Sequence, residues 1–231
     1  MKKIWTLVLA LGVFAPNAYS QNCSKYYPME EGASMEYTSY DRKDKVEGIM
    51  TYTISDVVNE GGITSAKMNM EHKDKKGKII YESDYTFSCE GNVVKIDFSS
   101  LMNQQMMEAA GGGEMELEMT GTDIELPNNL SVGQSLPDAN VNMKMNMGAM
   151  NMNMTFDMIN RKVEGKESLS TQAGTFDCFV ITSENKAKMM MANTSHTSKM
   201  WLAEGVGMVR QDIFNKNDKL ISKVVLTKFS E

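Results

Sequence analysis

The sequence predicts a mainly β protein: a curved antiparallel sheet, or partly open β-barrel, with one short helix. Apolar and polar residues alternate over many short segments, as they do in half-buried strands. Gly, Asn and Asp residues cluster between these segments and mark turns. Only one stretch carries a helical pattern. We therefore expect about a dozen strands and a single helix.

The first five predicted strands form an antiparallel meander. In the second of them, Met50, Tyr52 and Ile54 share one side, and threonine and serine residues occupy the other. Charged or glycine-rich turns separate the strands, so that each returns beside the one before it. These strands are expected at residues 34–40, 49–55, 65–72, 78–89 and 93–98.

The predicted helix covers residues 99–110, with the sequence SSLMNQQMMEAA. Ser99 or Ser100 is a suitable N-cap, and three consecutive glycines at 111–113 end the helix and provide a hinge. We expect this helix to act as a lid on the sheet. The side chains that would face the sheet are Leu101, Met102 and Met106.

A loop with a proline at each end, residues 127–137, marks a boundary within the chain. We expect one β-rich domain over residues 21–231, whose two halves meet near this loop. Further strands follow it, and the last two form a hairpin around Asn217 and Asp218.

Residues 142–154 read NMKMNMGAMNMNM, with a methionine at every second position and a one-residue slip at Gly148 and Ala149. A type II′ turn with glycine first would pair the flanking strands around this slip. Cross-strand partners point to the same side of a sheet, so the methionines would share one face, and Phe156 would lie opposite Val141. This methionine face consists of Met143, Met145, Met147, Met150, Met152 and Met154.

Three interpretations of the methionine face remain open. Methionine is flexible and fills irregular space, so the face can simply pack a core. It can also line an adaptable cavity for an apolar ligand. Closely spaced thioethers can bind Cu(I), although the chain has only two histidines and its methionines are widely distributed.

The first twenty residues predict a cleavable secretory signal. Lys2 and Lys3 precede an apolar run at residues 4–15, which is too short to span a bilayer, and small residues precede a cleavage site after Ser20. Of the three cysteines, Cys23 and Cys89 both border predicted strands, and we expect them to form a disulfide. Cys178 lies in an apolar strand and is expected to be a free, buried thiol.

The chain carries 24 basic and 30 acidic side chains, a net charge of −6. This balance gives no general attraction to nucleic acid or to anionic membranes, and no basic cluster stands out along the sequence. Nucleotide-binding loops and nucleophile motifs are absent. His72 and His196 lie in strands without a neighbouring motif, so we expect no catalytic residues and no cofactor.

Two C-terminal stretches resemble a known family: RKVEGKESLSTQAGTFDCFVI at residues 161–181, and SKMWLAEGVGMVRQDIFNKNDKLISKVVLTKF at residues 198–229. They are similar to the TapB-like periplasmic proteins that carry domain of unknown function 3108, in Gram-negative bacteria. The resemblance rests on the turn at residues 173–176, on Trp201, and on the closing hairpin.

This resemblance implies a curved, partly open antiparallel barrel like that of periplasmic lipoprotein carriers, with no catalytic residue to transfer. It also implies that Trp201 packs on the concave face. We therefore expect a non-enzymatic periplasmic or secreted protein that binds an apolar or amphiphilic ligand, or an envelope partner. The alternatives are an interaction protein with a filled core and a methionine-rich Cu(I)-handling protein.

Overall fold

The structure is a computed structural model, and it describes residues 23–96, 115–147, 150–189 and 192–231. These residues form thirteen strands and contain no helix. The strands are β1 (Ser34–Asp41), β2 (Val46–Glu60), β3 (Ile63–Asp74), β4 (Ile79–Glu90), β5 (Val93–Ile96), β6 (Met115–Gly121), β7 (Ile124–Pro127), β8 (Ala139–Met147), β9 (Met150–Thr171), β10 (Gly174–Met189), β11 (Ala192–Ala203), β12 (Gly207–Asn215) and β13 (Leu220–Ser230).

All thirteen strands belong to one antiparallel sheet, in the order β6-β8-β9-β10-β11-β12-β13-β1-β2-β3-β4-β5-β7. The predicted mainly β fold is confirmed, and β1 to β5 form the expected meander. The sheet is not closed into a barrel, because β6 and β7 are its two free edges. The helix predicted at residues 99–110 lies outside the described residues.

The two edge strands are consecutive in the chain. Only Thr122 and Asp123 separate β6 from β7, yet β6 pairs with β8 and β7 pairs with β5 at the far side of the sheet. The sheet must therefore curl until its edges approach each other at this connection. Sequence analysis missed β7, because four residues that end in a proline resemble part of a loop.

The interior of the curled sheet is filled at one end by the segment that precedes β1. We call residues 23–33 the N-terminal plug. The Tyr26 ring is fully buried and meets the ring of Phe179 on β10, with 6.2 Å between centroids. The Tyr27 ring meets Phe87 on β4 at 6.1 Å. The plug therefore touches strands from both halves of the sheet, and the face that carries Phe87 and Phe179 is the inner one.

Covalent and polar contacts fix the plug in place. A disulfide joins Cys23 to Cys89 at the end of β4, which confirms the predicted pair. The Asn128 side chain accepts a hydrogen bond from the Lys25 amide at 2.8 Å and donates one to the Cys23 carbonyl at 2.6 Å. The Gly205 amide donates to the Lys25 carbonyl at 3.0 Å. Because backbone groups of the plug are satisfied in this way, an irregular segment can occupy the interior.

Next to the plug, a row of tyrosines crosses β1, β2 and β4. The ring centroid of Tyr52 lies 5.6 Å from that of Tyr37 and 6.4 Å from that of Tyr85, both in edge-on geometry. The Tyr37 hydroxyl donates to the Met208 carbonyl at 2.8 Å. Burial raises the pKa of both Tyr37 and Tyr85 well above the ordinary value. These neutral hydroxyls make the row a structural part of the core.

We predict that replacing both Cys23 and Cys89 with serine lowers the free energy of unfolding by about 4 kcal/mol, because a bridge across 66 residues restricts the unfolded chain. Urea-induced unfolding measures the change. A Cys178→Ala variant keeps the bridge, so it serves as the control for replacing a buried cysteine without breaking the disulfide. Mass mapping under non-reducing conditions that found Cys178 in the bridge would contradict the pairing.

A second prediction concerns two buried tyrosine hydroxyls. The Tyr26 hydroxyl is buried and makes no hydrogen bond of ordinary geometry among the described residues; burial raises its pKa to about 12, and the Leu130 backbone opposes that rise only in part. Tyr26→Phe should leave the free energy of unfolding unchanged or raise it by up to about 1 kcal/mol, because it removes an unsatisfied group. Tyr37→Phe removes the hydrogen bond to the Met208 carbonyl and should lower the free energy of unfolding by about 1 kcal/mol. Denaturant unfolding measures both changes. An equal loss of unfolding free energy in the two variants would contradict the difference predicted between the two hydroxyls.

Candidate ligand-binding face

The methionine tract forms the predicted hairpin. Met147 pairs with Met150, Met145 with Met152, and Met143 with Met154, as the one-residue slip requires. Val141 pairs with Phe156 further along the same two strands. The predicted register is therefore confirmed from Val141 to Met147, while the turn residues 148 and 149 lie outside the described part.

The neighbouring strands extend this pattern into rows of methionine across the sheet. On one side, β6 places Met119 opposite Met143. On the other, β10 places Met189 opposite Met154. One row therefore crosses four strands through these four residues. In the sequence, Met115, Leu117 and Met119 alternate with polar residues and so predict a strand, but alternation does not specify which strand it pairs with.

The register also shows which face of the sheet Met154 occupies. On β10, Phe179 contacts the N-terminal plug and so points inward. The ladder between β10 and β11 is regular from Cys178 to Met189, so every second residue after Phe179 points the same way, including Ala187. Phe156 pairs with Ala187 and shares its side of the sheet. Met154, two residues before Phe156 on β9, therefore lies on the inner face.

Exposure increases along β8 from Ala139 to Met143. Ala139 and Val141, at the start of β8, are almost completely buried. Met143, Met154 and Phe156 are only partly buried. The inner face is therefore covered more completely near the start of β8 than at Met143 and Met154.

A small buried polar cluster lies on the same inner face, beside the apolar rows. The hydroxyls of Ser183 and Ser198 are 2.7 Å apart, and the Asn185 amide donates to Ser198 at 3.0 Å. Met158 on β9 pairs with Asn185, so this cluster adjoins the strand that carries Met154. No sequence motif marks these three residues, because they come together only through the register of β10 and β11.

Trp201 does not lie on the inner face, which corrects the expectation drawn from the family resemblance. It pairs with Val180, whereas the adjacent Leu202 pairs with the inward-pointing Phe179. The indole is nevertheless buried, because Lys199 and Arg210 lie over its ring at 4.6 and 5.1 Å. Long cationic side chains thus cover Trp201 on the outer surface.

Neither of two surface grooves coincides with the methionine face. One groove of about 690 Å³ lies near the turn between β9 and β10 and contains Lys166, Asp177 and Glu204. The other, of about 440 Å³, lies on β2 to β4 and contains Glu71 and Asp84. The second is lined mainly by polar and charged side chains, whereas the first also contains Phe176, Phe179 and Cys178 beside its charged residues.

Within the described ranges, no group of three His, Cys, Asp or Glu residues is arranged to hold a metal ion. Binding of Cu(I) by thioethers alone stays a prediction. Cys178 is free and buried, and burial raises the pKa of its thiol to about 11, so it is not a reactive thiolate. The predicted lid residues Leu101, Met102 and Met106 lie outside the described part of the chain.

The fold and the inner face define a class: β-rich proteins built on one open, curled antiparallel sheet. The DUF3108-like family model matches residues 30–226, and the chain belongs to that family. No helix in the described ranges is long and apolar enough to cross a bilayer.

The solved structures that are similar to this chain include the following two. The first, a Bacteroides fragilis protein assigned as exported with a YmcC-like fold, is 18% identical, has a TM-score of 0.71, and covers 90% of this chain and 100% of its own. The second, a Parabacteroides distasonis protein assigned as a lipoprotein, is 21% identical, has a TM-score of 0.71, and covers 91% of this chain and 100% of its own. At these sequence identities, the similarity shows only that the fold is shared. Among curated proteins, none matches this sequence.

The environment of Trp201 predicts a pH-dependent signal. Hydrogen bonds from the Trp201 indole and from Lys199 lower the pKa of Glu167 below its ordinary value of 4.5. The ionised Glu167 carboxylate contributes fully to the free energy of unfolding above pH 4.5. This contribution is lost as the pH falls through the lowered pKa of Glu167. We predict a change in Trp201 fluorescence only below pH 4.5. Trp201 is the only tryptophan after the expected cleavage site, so the signal is specific.

The control for this titration is Glu167→Gln, which cannot titrate and should remove the transition. A transition above pH 4.5, or one that persists unchanged in Glu167→Gln, would contradict the assignment to Glu167.

Proposed function

We propose that this chain is an exported, non-enzymatic protein of the cell envelope that binds the acyl part of an amphiphilic ligand on the methionine face. The observation that carries the proposal is the partial exposure of Met143 and Met154 on the inner side of a curled sheet whose other end is filled. Apolar side chains in such a concave position favour a ligand with hydrocarbon surface.

Three features support export to the envelope. The apolar segment at residues 4–15 has the pattern of a secretory signal. The disulfide between Cys23 and Cys89 is typical of proteins that fold in an oxidising compartment. Both similar solved structures are of proteins assigned as exported or as lipoproteins.

The proposed mechanism is reversible burial of hydrocarbon. Each methylene removed from water contributes about 0.8 kcal/mol, so a medium-length acyl chain supplies useful affinity without chemistry. Unbranched methionine side chains adapt to chains of different shape, as they do on other permissive binding surfaces.

An interaction protein without a small ligand is the second candidate, and the N-terminal plug favours it. Tyr26 and Tyr27 already fill one end of the interior, which limits the space for any ligand. The two candidates differ in what they predict for the methionine end. A ligand-binding protein takes up hydrocarbon there, and an interaction protein does not.

Native mass spectrometry of the protein purified from its own envelope tests the proposal first, and a co-purifying amphiphile is the expected result. A fluorescent fatty acid then serves as the probe in solution. Met143→Gln with Met154→Gln should weaken binding of this probe about thirtyfold, because each change removes apolar contact of the order of 1 kcal/mol.

The matched control is Lys144→Gln, which alters the neighbouring residue on the opposite side of β8. It should bind the probe as the unmodified protein does. No binding of the fatty acid, or equal weakening in the control, would refute the methionine face as the site. A co-purifying copper ion without lipid would instead favour the Cu(I) interpretation.

A further inference from the structure

Three hairpin turns repeat one five-residue pattern. They read DRKDK at residues 41–45, DKKGK at residues 74–78, and NKNDK at residues 215–219. Each begins with Asp or Asn and ends with Lys, and each connects two neighbouring strands. They are far apart in the sequence, so none stands out there as more than a short charged turn.

The three turns also share one geometry. The first side chain accepts hydrogen bonds from the third and fifth backbone amides; for Asp41 the distances are 2.7 and 2.9 Å. Asp74 and Asn215 make the equivalent pairs of bonds. The fourth residue has a positive φ in every case, at Asp44, Gly77 and Asp218. The first side chain therefore folds back on its own turn, and the basic residues project from it.

The sheet order places these turns side by side. They connect β12 to β13, β1 to β2, and β3 to β4, and these six strands are consecutive in the sheet. The register aligns their ends, because Asp41 pairs with Ser222 and Gly48 pairs with Asp74. Lys223 at the start of β13 forms an ion pair with Asp44 at 2.6 Å. Together the three turns make one continuous edge, which we call the basic rim.

The basic rim reverses the charge of the rest of the chain. It holds eight basic and four acidic side chains, a net of +4, in a chain whose net charge is −6. All eight basic side chains are exposed: Arg42, Lys43, Lys45, Lys75, Lys76, Lys78, Lys216 and Lys219. Charge is therefore distributed unevenly over the molecule: the basic rim is positive, and the rest of the chain is acidic.

Exposed aliphatic side chains lie directly behind the lysines. Of seven large apolar side chains that are exposed among the described residues, four lie within two residues of the end of a rim turn. They are Val46, Ile79, Ile80 and Ile221, between 41 and 56% exposed. Lysine next to exposed aliphatic surface is the arrangement that membrane-interface segments use, with the charge at the headgroups and the apolar part below it.

We propose that the basic rim docks this protein on the surface of an anionic phospholipid bilayer. Basic residues near such a surface gain attraction to the lipid phosphates, and the flanking aliphatic side chains enter the boundary with the acyl chains. The acidic remainder is repelled, so only the rim faces the lipid. Nucleic acid or another soluble polyanion would satisfy the lysines but would leave the aliphatic side chains exposed to water.

Docking at the basic rim would also bring the proposed ligand-binding face close to lipid. The docking proposal does not depend on the proposed function. Neighbouring strands alternate in direction, so β8 ends and β9 begins at the same end of the sheet as the rim. Met143 and Met154 lie toward that end, and the plug disulfide at the end of β4 lies at the other. A rim on the bilayer would hold the open end of the methionine face next to the lipid.

The test is co-sedimentation of the exported, processed protein with phosphatidylcholine vesicles that contain phosphatidylglycerol. We expect binding that weakens as salt is added, and little binding to phosphatidylcholine alone. Lys75→Gln with Lys76→Gln should weaken binding roughly tenfold, and so should Ile79→Ser with Ile80→Ser. All four residues are exposed, so these variants should unfold at the same denaturant concentration as the unmodified protein.

Matched controls lie away from the rim. Lys95→Gln with Lys166→Gln makes the same change of charge, and Val58→Ser with Ile63→Ser removes equally exposed aliphatic groups at the opposite turn. Both control pairs should bind vesicles as before. Met143→Gln with Met154→Gln should also keep vesicle binding, which separates this proposal from that of ligand binding.

Absence of binding to the anionic vesicles overturns the proposal. Equal weakening in the controls and in the rim variants also overturns it. Binding to heparin or duplex DNA but not to vesicles would show that the rim recognises a soluble polyanion instead.

Discussion

The concave apolar face of this open, curled sheet must be covered, and this requirement determines how the remaining parts of the structure are arranged. A sheet that is not closed into a barrel has one concave apolar face, and something must cover it. At one end the cover is the chain's own N-terminal plug, with Tyr26 and Tyr27 packed between strands of both halves. The disulfide from Cys23 to β4 and the hydrogen bonds of Asn128 keep it there.

The two ends of the sheet therefore have different properties. The plugged end is sealed by aromatic rings and satisfied backbone groups, so it has the character of an ordinary core. Toward the other end Met143 and Met154 are only partly covered, and the basic rim lies at that same end of the sheet. Hydrocarbon-compatible surface inside and positive charge at the edge are what a protein that meets amphiphiles at a membrane would need.

The sequence predicts local features of this fold well and long-range ones poorly. The slip at Gly148 and Ala149 specified the hairpin register, because a two-residue turn determines which residues pair. Strand alternation places Trp201 and Leu202 on opposite faces, but it does not tell which face is concave; that depends on where the plug lies. The basic rim was missed for a related reason, since its three turns are adjacent only in the folded sheet.

Oxidation of individual methionines by dilute peroxide, followed by mass spectrometry, measures whether the interior is filled at one end and accessible at the other. Sulfoxide formation follows the exposure of each thioether. The account predicts slow oxidation of the buried Met29 and Met35, and faster oxidation of Met143 and Met154 that slows when a fatty acid is added. Oxidation of Met29 and Met35 as fast as that of Met143 and Met154, or no protection by the fatty acid, would contradict a plugged interior with an open methionine end.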